Sequence, residues 1–75
     1  DIAEIAVGAN SPLAGISLAA SGIKEKFDSI VVAVKRGNAL ATTPAGDMTI
    51  AGGDIMIVLG HRDRLSELVK IARGR

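Results

Sequence analysis

The sequence predicts a small α/β domain of the α+β type, with element order β-α-β-β-β-α and one sheet covered by two helices. Three observations carry that prediction. Ile30–Val34 and Ile55–Leu59 are short apolar runs dominated by β-branched residues, the signature of buried strands. Leu65, Leu68, Val69 and Ala72 recur at i, i+3, i+4 and i+7, which draws one apolar stripe along a helix. Gly37-Asn38 and Gly52-Gly53 punctuate the chain between apolar segments, as turns do.

Ile2–Val7 reads as the first strand, with Glu4 at an edge or turned to solvent. Gly8 to Pro12 ends it, because Asn10, Ser11 and Pro12 are turn formers. Leu13 supplies an apolar anchor in the loop and Gly15 a second bend. Ser17 is placed to cap a helix over Leu18–Lys26, whose stripe is Leu18, Ala19, Gly22 and Ile23, with Lys24 and Glu25 off it. Gly22 inside that helix costs about 1 kcal/mol against alanine, a cost that a close backbone approach would explain.

The unbroken apolarity of Ile30–Val34 predicts a strand buried on both faces. A hairpin at Gly37-Asn38 leads into a third strand, Ala39–Thr43, stopped by Pro44. Ala45–Asp47 is a loop, and Met48–Ala51 is expected to pair briefly before Gly52-Gly53 turns the chain into Asp54–Leu59. Gly60 releases the chain into the last helix, which starts at His61 or Arg62. Asp63 in its first turn, and Arg73 and Arg75 at its other end, suit the helix dipole.

Composition narrows the function classes. The chain has 75 residues, a formal net charge of +1 and no cysteine. A domain this short buries only about 60% of its unfolded surface, so completion by a partner subunit or domain is expected. Without cysteine there is neither a disulfide framework nor a thiolate metal site. Lys and Arg are dispersed and Phe27 is the only aromatic residue, which argues against nucleic acid as a partner. No apolar run approaches the roughly 20 residues of a membrane span, so no direct membrane insertion is expected. The chain begins at Asp1, and it reads as a module of a longer, cytoplasmic protein.

No catalytic constellation is visible. Gly52 and Gly53 precede a strand rather than a helix, and Gly60 stands alone, so the spacing of a dinucleotide fingerprint is absent. His61, the only histidine, reads as an exposed loop residue, with pH sensing at a helix start as the alternative. Asp47 and Asp54 offer too few oxygens for a hard cation, and Asp54 reads as the cap of the Gly52-Gly53 turn. Ser17 and Ser21 lack a partner base at nucleophile spacing. Lys35-Arg36 admits two readings, edge protection or an anion-facing pair at a subunit interface.

One ordered set of segments carries a resemblance: SPLAGISL at Ser11–Leu18, IVVAVKRGN at Ile30–Asn38, Pro44, and IAGGDIMIVLG at Ile50–Gly60. Together they resemble the C-terminal subdomain of regulator of potassium conductance (RCK) domains, the TrkA-C domain, over nearly the whole chain. The resemblance implies a dimeric α/β module that follows a Rossmann-like RCK N-terminal subdomain and regulates a membrane potassium channel or transporter from the cytoplasm. It implies a sensing role without catalysis, for a small effector at the dimer interface: cyclic di-AMP, another nucleotide or a divalent cation. The matching ligand or interface positions are Leu18, Ile23, Lys24, Val31 and Pro44. Lys24 stands where relatives tend to have arginine, and Ile30 where they often have asparagine. The competing expectation is a purely structural dimerisation module of another ion or anion transporter or of a transcription regulator.

Overall fold

Ile5 near the start of the chain lies beside Met56 near its end, and Met56 in turn lies beside Val34. These pairings organise the sheet. The computed structural model describes residues 1–74. In chain order the elements are β1 (Ile2–Ala6), α1 (Leu18–Ser21), α2 (Ile23–Phe27), β2 (Ile30–Arg36), β3 (Ala39–Thr42), β4 (Ile55–Leu59) and α3 (Arg62–Arg73). The four strands run in the order β1-β4-β2-β3, each antiparallel to its neighbours.

The helices and the long loops cover one face of the sheet. Ile5, Val7, Val34, Met56 and Val58 point into this layer, where they meet Leu65, Leu68 and Ala72 of α3, Ile23 of α2, and Leu13 and Ile50 from the loops. Leu68 is fully buried, and burying such a side chain contributes about 1.5–3 kcal/mol. The stripe read for the last helix therefore faces the core, with Asp63 in its first turn and Lys70 and Arg73 in its last. Arg75 lies outside the described residues. Ser17 caps α1, its hydroxyl accepting from the Ala20 amide at 3.1 Å.

Several expectations change. The helix expected over Leu18–Lys26 is two short helices, because Gly22 adopts φ 74, ψ 12 and ends the first. This left-handed geometry suits glycine, which has no Cβ to clash with the following carbonyl, so Gly22 is a hinge between helices rather than a helical residue. The brief strand expected at Met48–Ala51 reduces to one bridge, Ser17 with Thr49. Thr43 leaves β3 with φ 47, while its amide still donates to the Val32 carbonyl at 2.9 Å.

The expectation that β2 is buried on both faces also fails. Ile30 is 54% exposed and Val32 is exposed as well. A bulge between Val31 and Ala33 changes the side-chain phase, so that Val31 and Val34 both stand opposite core residues, Val58 and Met56. Val32 and Ala33 then fall on the face that no helix covers. Simple alternation cannot place this strand because it contains one residue more than its partner.

The turn expected at Gly52-Gly53 is present. Asp54 accepts from the Ala51 amide at 2.9 Å, and the Gly53 amide donates to the Val7 carbonyl at 2.7 Å. Beside this turn, Gly8 donates to the Ala72 carbonyl at 2.7 Å, and a Cβ on Gly8 would lie 2.6 Å from the Arg73 carbonyl oxygen. Only glycine lets the loop after β1 approach the end of α3 this closely.

Candidate functional site

A cleft of about 250 Å³ opens between α1–α2, the start of β2 and the loop after β3. Its construction begins with the Ser17 cap, which starts α1 so that Leu18 and Ala19 face the cleft. Two free amides of that first turn then find loop carbonyls, Leu18 donating to Met48 at 2.9 Å and Ala19 to Gly46 at 2.8 Å. These bonds strap the 44–48 loop onto the helix and bring Pro44 and Gly46 to the cleft wall. They also occupy groups that would otherwise attract an anion to the helix start.

All five residues singled out in the sequence line this one cleft: Leu18, Ile23, Lys24, Val31 and Pro44. They contribute differently. Leu18, Val31 and Pro44 are half-buried and form apolar walls, and Lys24 is exposed at the rim. Ile23 is only 2% exposed and belongs chiefly to the core, so it backs the cleft from behind. The sequence reading left out Ala19, Glu25, Ser29 and Gly46, which also line it, and named Ile30 only as the residue standing where relatives often have asparagine. Ile30 was visible as an apolar residue opening a strand, but its position at the mouth depends on the bulge that follows.

A second, shallower cleft of about 410 Å³ lies on the other side of Lys24, Ser29 and Ile30, which both clefts share. It adds Leu59, Gly60, His61 and Asp28. His61 is the N-cap residue of α3 without a side-chain cap bond, and its Nε2 lies 3.9 Å from Asp28 Oδ2, both side chains well exposed. Ser29 is buried, and its hydroxyl donates to the Phe27 carbonyl at 2.8 Å. Among the described residues, no group of three or more His, Cys, Asp or Glu side chains is placed to hold a metal. The chemistry on offer is apolar contact, one rim cation and one rim carboxylate.

The pair Lys35-Arg36 divides between the two faces of the sheet. Arg36 turns to the buried Asp54, with Nε and Nη2 donating to Oδ1 and Oδ2 at 2.8 Å each, and Nη2 also donates to the Thr49 carbonyl at 2.9 Å. Hydrogen bonding to Arg36 holds the Asp54 carboxyl below its ordinary value, against burial, which pushes it up; the Ala51 amide adds to the lowering. Lys35 stands opposite Ile55 and Leu40 on the uncovered face. β2 is an interior strand, so the pair does not guard a sheet edge, and with Arg36 engaged by Asp54 the two residues do not face one ligand together.

A family model for the TrkA-C domain matches residues 2–73. Potassium channel protein 1 of Methanocaldococcus jannaschii is 37% identical over 54 residues, covering 72% of this chain, which spans 16% of that protein's length. The RCK C domain of the potassium transport protein KtrA, solved with cyclic diadenosine monophosphate, superposes with a TM-score of 0.82 at 28% identity, covering 93% of this chain and 80% of that one. The RCK_C domain dimer of S. agalactiae BusR with c-di-AMP superposes with a TM-score of 0.88 at 20% identity, covering 99% and 97%. BusR has also been solved with its busAB-promotor DNA, at a TM-score of 0.87 and 20% identity, covering 99% of this chain and 36% of that one. At 20% identity the BusR structures bear on the fold alone.

Proposed function

This chain belongs to the TrkA-C domain family, and from that premise we propose that it is the effector-sensing, dimerising domain of a cytoplasmic regulator of potassium transport. The carrying observation is the apolar cleft with Lys24 at its rim, built on the fold that KtrA presents in its cyclic diadenosine monophosphate complex. Sensing here needs no catalysis. An effector that favours one arrangement of two protomers shifts their population, and the attached domains respond.

The chemical class proposed for the effector is a nucleotide with two equivalent halves, cyclic di-AMP being the first to test. One cleft of about 250 Å³ falls below the ~300–1,000 Å³ usual for a drug-sized ligand. A two-fold ligand across a two-fold dimer would occupy two such clefts at once. Val31, Leu18 and Pro44 would meet the bases, while Lys24 would meet phosphate. Divalent cations fit less well with a cleft whose lining holds a single carboxylate, Glu25.

Calorimetric titration of the chain with cyclic di-AMP tests the proposal, with AMP and divalent cations as comparisons. One ligand bound per two chains, with AMP weaker, is the expected result. Absence of binding to all of them, in the chain and in the longer protein that carries it, overturns the sensing role. The second reading, a purely structural dimerisation module, draws on Ile30, whose side chain offers the cleft no hydrogen bond. DNA contact, seen for BusR as a whole, would on this proposal belong to other domains.

A further inference from the structure

Thr43, between β3 and the loop that walls the cleft, holds a backbone conformation that its own side chain opposes. Among the described residues two other than glycine have positive φ, Asp28 at 50 and Thr43 at 47. An aspartate carboxylate can bond nearby backbone and visits the left-handed region readily, whereas a β-branched threonine is an outlier there. Proline follows at position 44, and its ring pushes the preceding residue towards extended backbone. Two local preferences therefore work against the observed turn. Such a residue persists only where its surroundings over-determine it.

The surroundings do so from both sides. The Thr43 amide donates to the carbonyl of Val32, the residue inside the β2 bulge, at 2.9 Å. Beyond it, the Gly46 carbonyl accepts from the Ala19 amide at 2.8 Å and the Met48 carbonyl from the Leu18 amide at 2.9 Å. The Met48 amide closes the loop on itself by donating to the Ala45 carbonyl at 3.0 Å. Pro44 lies between these anchors, half-buried on the cleft wall. With extended backbone at position 43 the chain would continue along β3, and Pro44 would leave that wall. Glycine would reach the turn without strain but would also sample the rest of its wide range. Threonine has only narrow wells, so once the anchors exclude the extended one it stays in place.

We propose that Thr43 is a positioning residue of the cleft: its strained turn, held by the Val32 carbonyl, fixes Pro44 and the 44–48 loop on the cleft wall before any ligand arrives. A wall already ordered spares the ligand the cost of ordering it, so affinity depends on a residue one position outside the lining. The effect on affinity rests on the effector reading given above, and the effect on the loop does not.

Thr43→Gly is the test, with Thr43→Val as its control, since valine keeps the β-branch and drops the hydroxyl. Thr43→Gly is expected to raise Tm by roughly 4 °C as the strain is removed. In hydrogen exchange the Leu18 and Ala19 amides, which bond the loop, are nonetheless expected to exchange about tenfold faster, while amides of β4 slow. Calorimetry is expected to show an affinity for cyclic di-AMP about tenfold weaker. A residue that merely supports the fold would move stability and affinity in the same direction. Thr43→Val is expected to match the parent in exchange and affinity. A fall in Tm for Thr43→Gly, or unchanged exchange at Leu18 and Ala19, overturns the inference. Unchanged affinity in Thr43→Gly against a parent that binds overturns it as well. So does an equal loss of affinity in Thr43→Val, which makes the hydroxyl a direct contact. A parent that binds no cyclic di-AMP overturns the effector reading instead, and the exchange result alone then decides whether Thr43 positions the loop.

Discussion

Arg36 and Asp54 are locked together by two 2.8 Å hydrogen bonds, although Asp54 is 1% exposed and eighteen residues away in sequence. The pair ties β2 to the turn that starts β4, and the same guanidinium reaches the Thr49 carbonyl. Removing the cation leaves a buried carboxylate whose one remaining hydrogen-bond donor among the described residues is the Ala51 amide. Arg36→Met is therefore expected to lower Tm by about 5 °C or more, well beyond an exposed control such as Arg64→Met. Differential scanning calorimetry at neutral pH measures it.

The same pair sets a pH dependence. Asp54 has a carboxyl lowered in the folded state, so the unfolded chain takes up its proton first as pH falls. Its contribution to stability is complete above the ordinary carboxylate range near pH 4 and is lost as pH drops through the lower folded value. Urea melts between pH 7 and pH 2 should show this loss, and Asp54→Asn should flatten that part of the profile.

Gly22→Ala separates two accounts of the first helical region. In the middle of a helix the change stabilises by about 1 kcal/mol. At φ 74 it must force a side chain into the left-handed region, and the added Cβ would lie 3.0 Å from the Lys26 side chain. A destabilisation of roughly 1 kcal/mol is expected, read by urea denaturation. A gain in stability would restore the single helix.

Lys24→Glu tests the cleft without touching the core, because Lys24 is exposed at the rim. Affinity for cyclic di-AMP is expected to fall at least about tenfold while Tm stays unchanged, since reversing a charge beside a phosphate costs binding rather than folding. Unchanged affinity would remove Lys24 from the site.

The local features were legible in the sequence because their causes are local. The stripe Leu65, Leu68, Val69, Ala72 makes α3 amphipathic wherever it docks, Ser17 can cap only the residues just after it, and Gly37-Asn38 favours a tight hairpin on its own. Five cleft residues were also reached, through a resemblance that carries spatial information no single spacing contains. The remainder depended on parts of the chain meeting. The insertion of β4 between β1 and β2 pairs residues as distant as Ile2 and Leu59, and the bulge at Val32 is defined only against Ile57 and Val58 of that inserted strand. Gly22 turns left-handed where two helices must take different directions over the sheet. Arg36 found Asp54 only once two faces of the sheet existed for Lys35 and Arg36 to separate onto. By itself the sequence determined which segments become strands and helices, through periodicity and turn chemistry. Tertiary structure decided which faces they share, because burial and pairing are properties of two segments together.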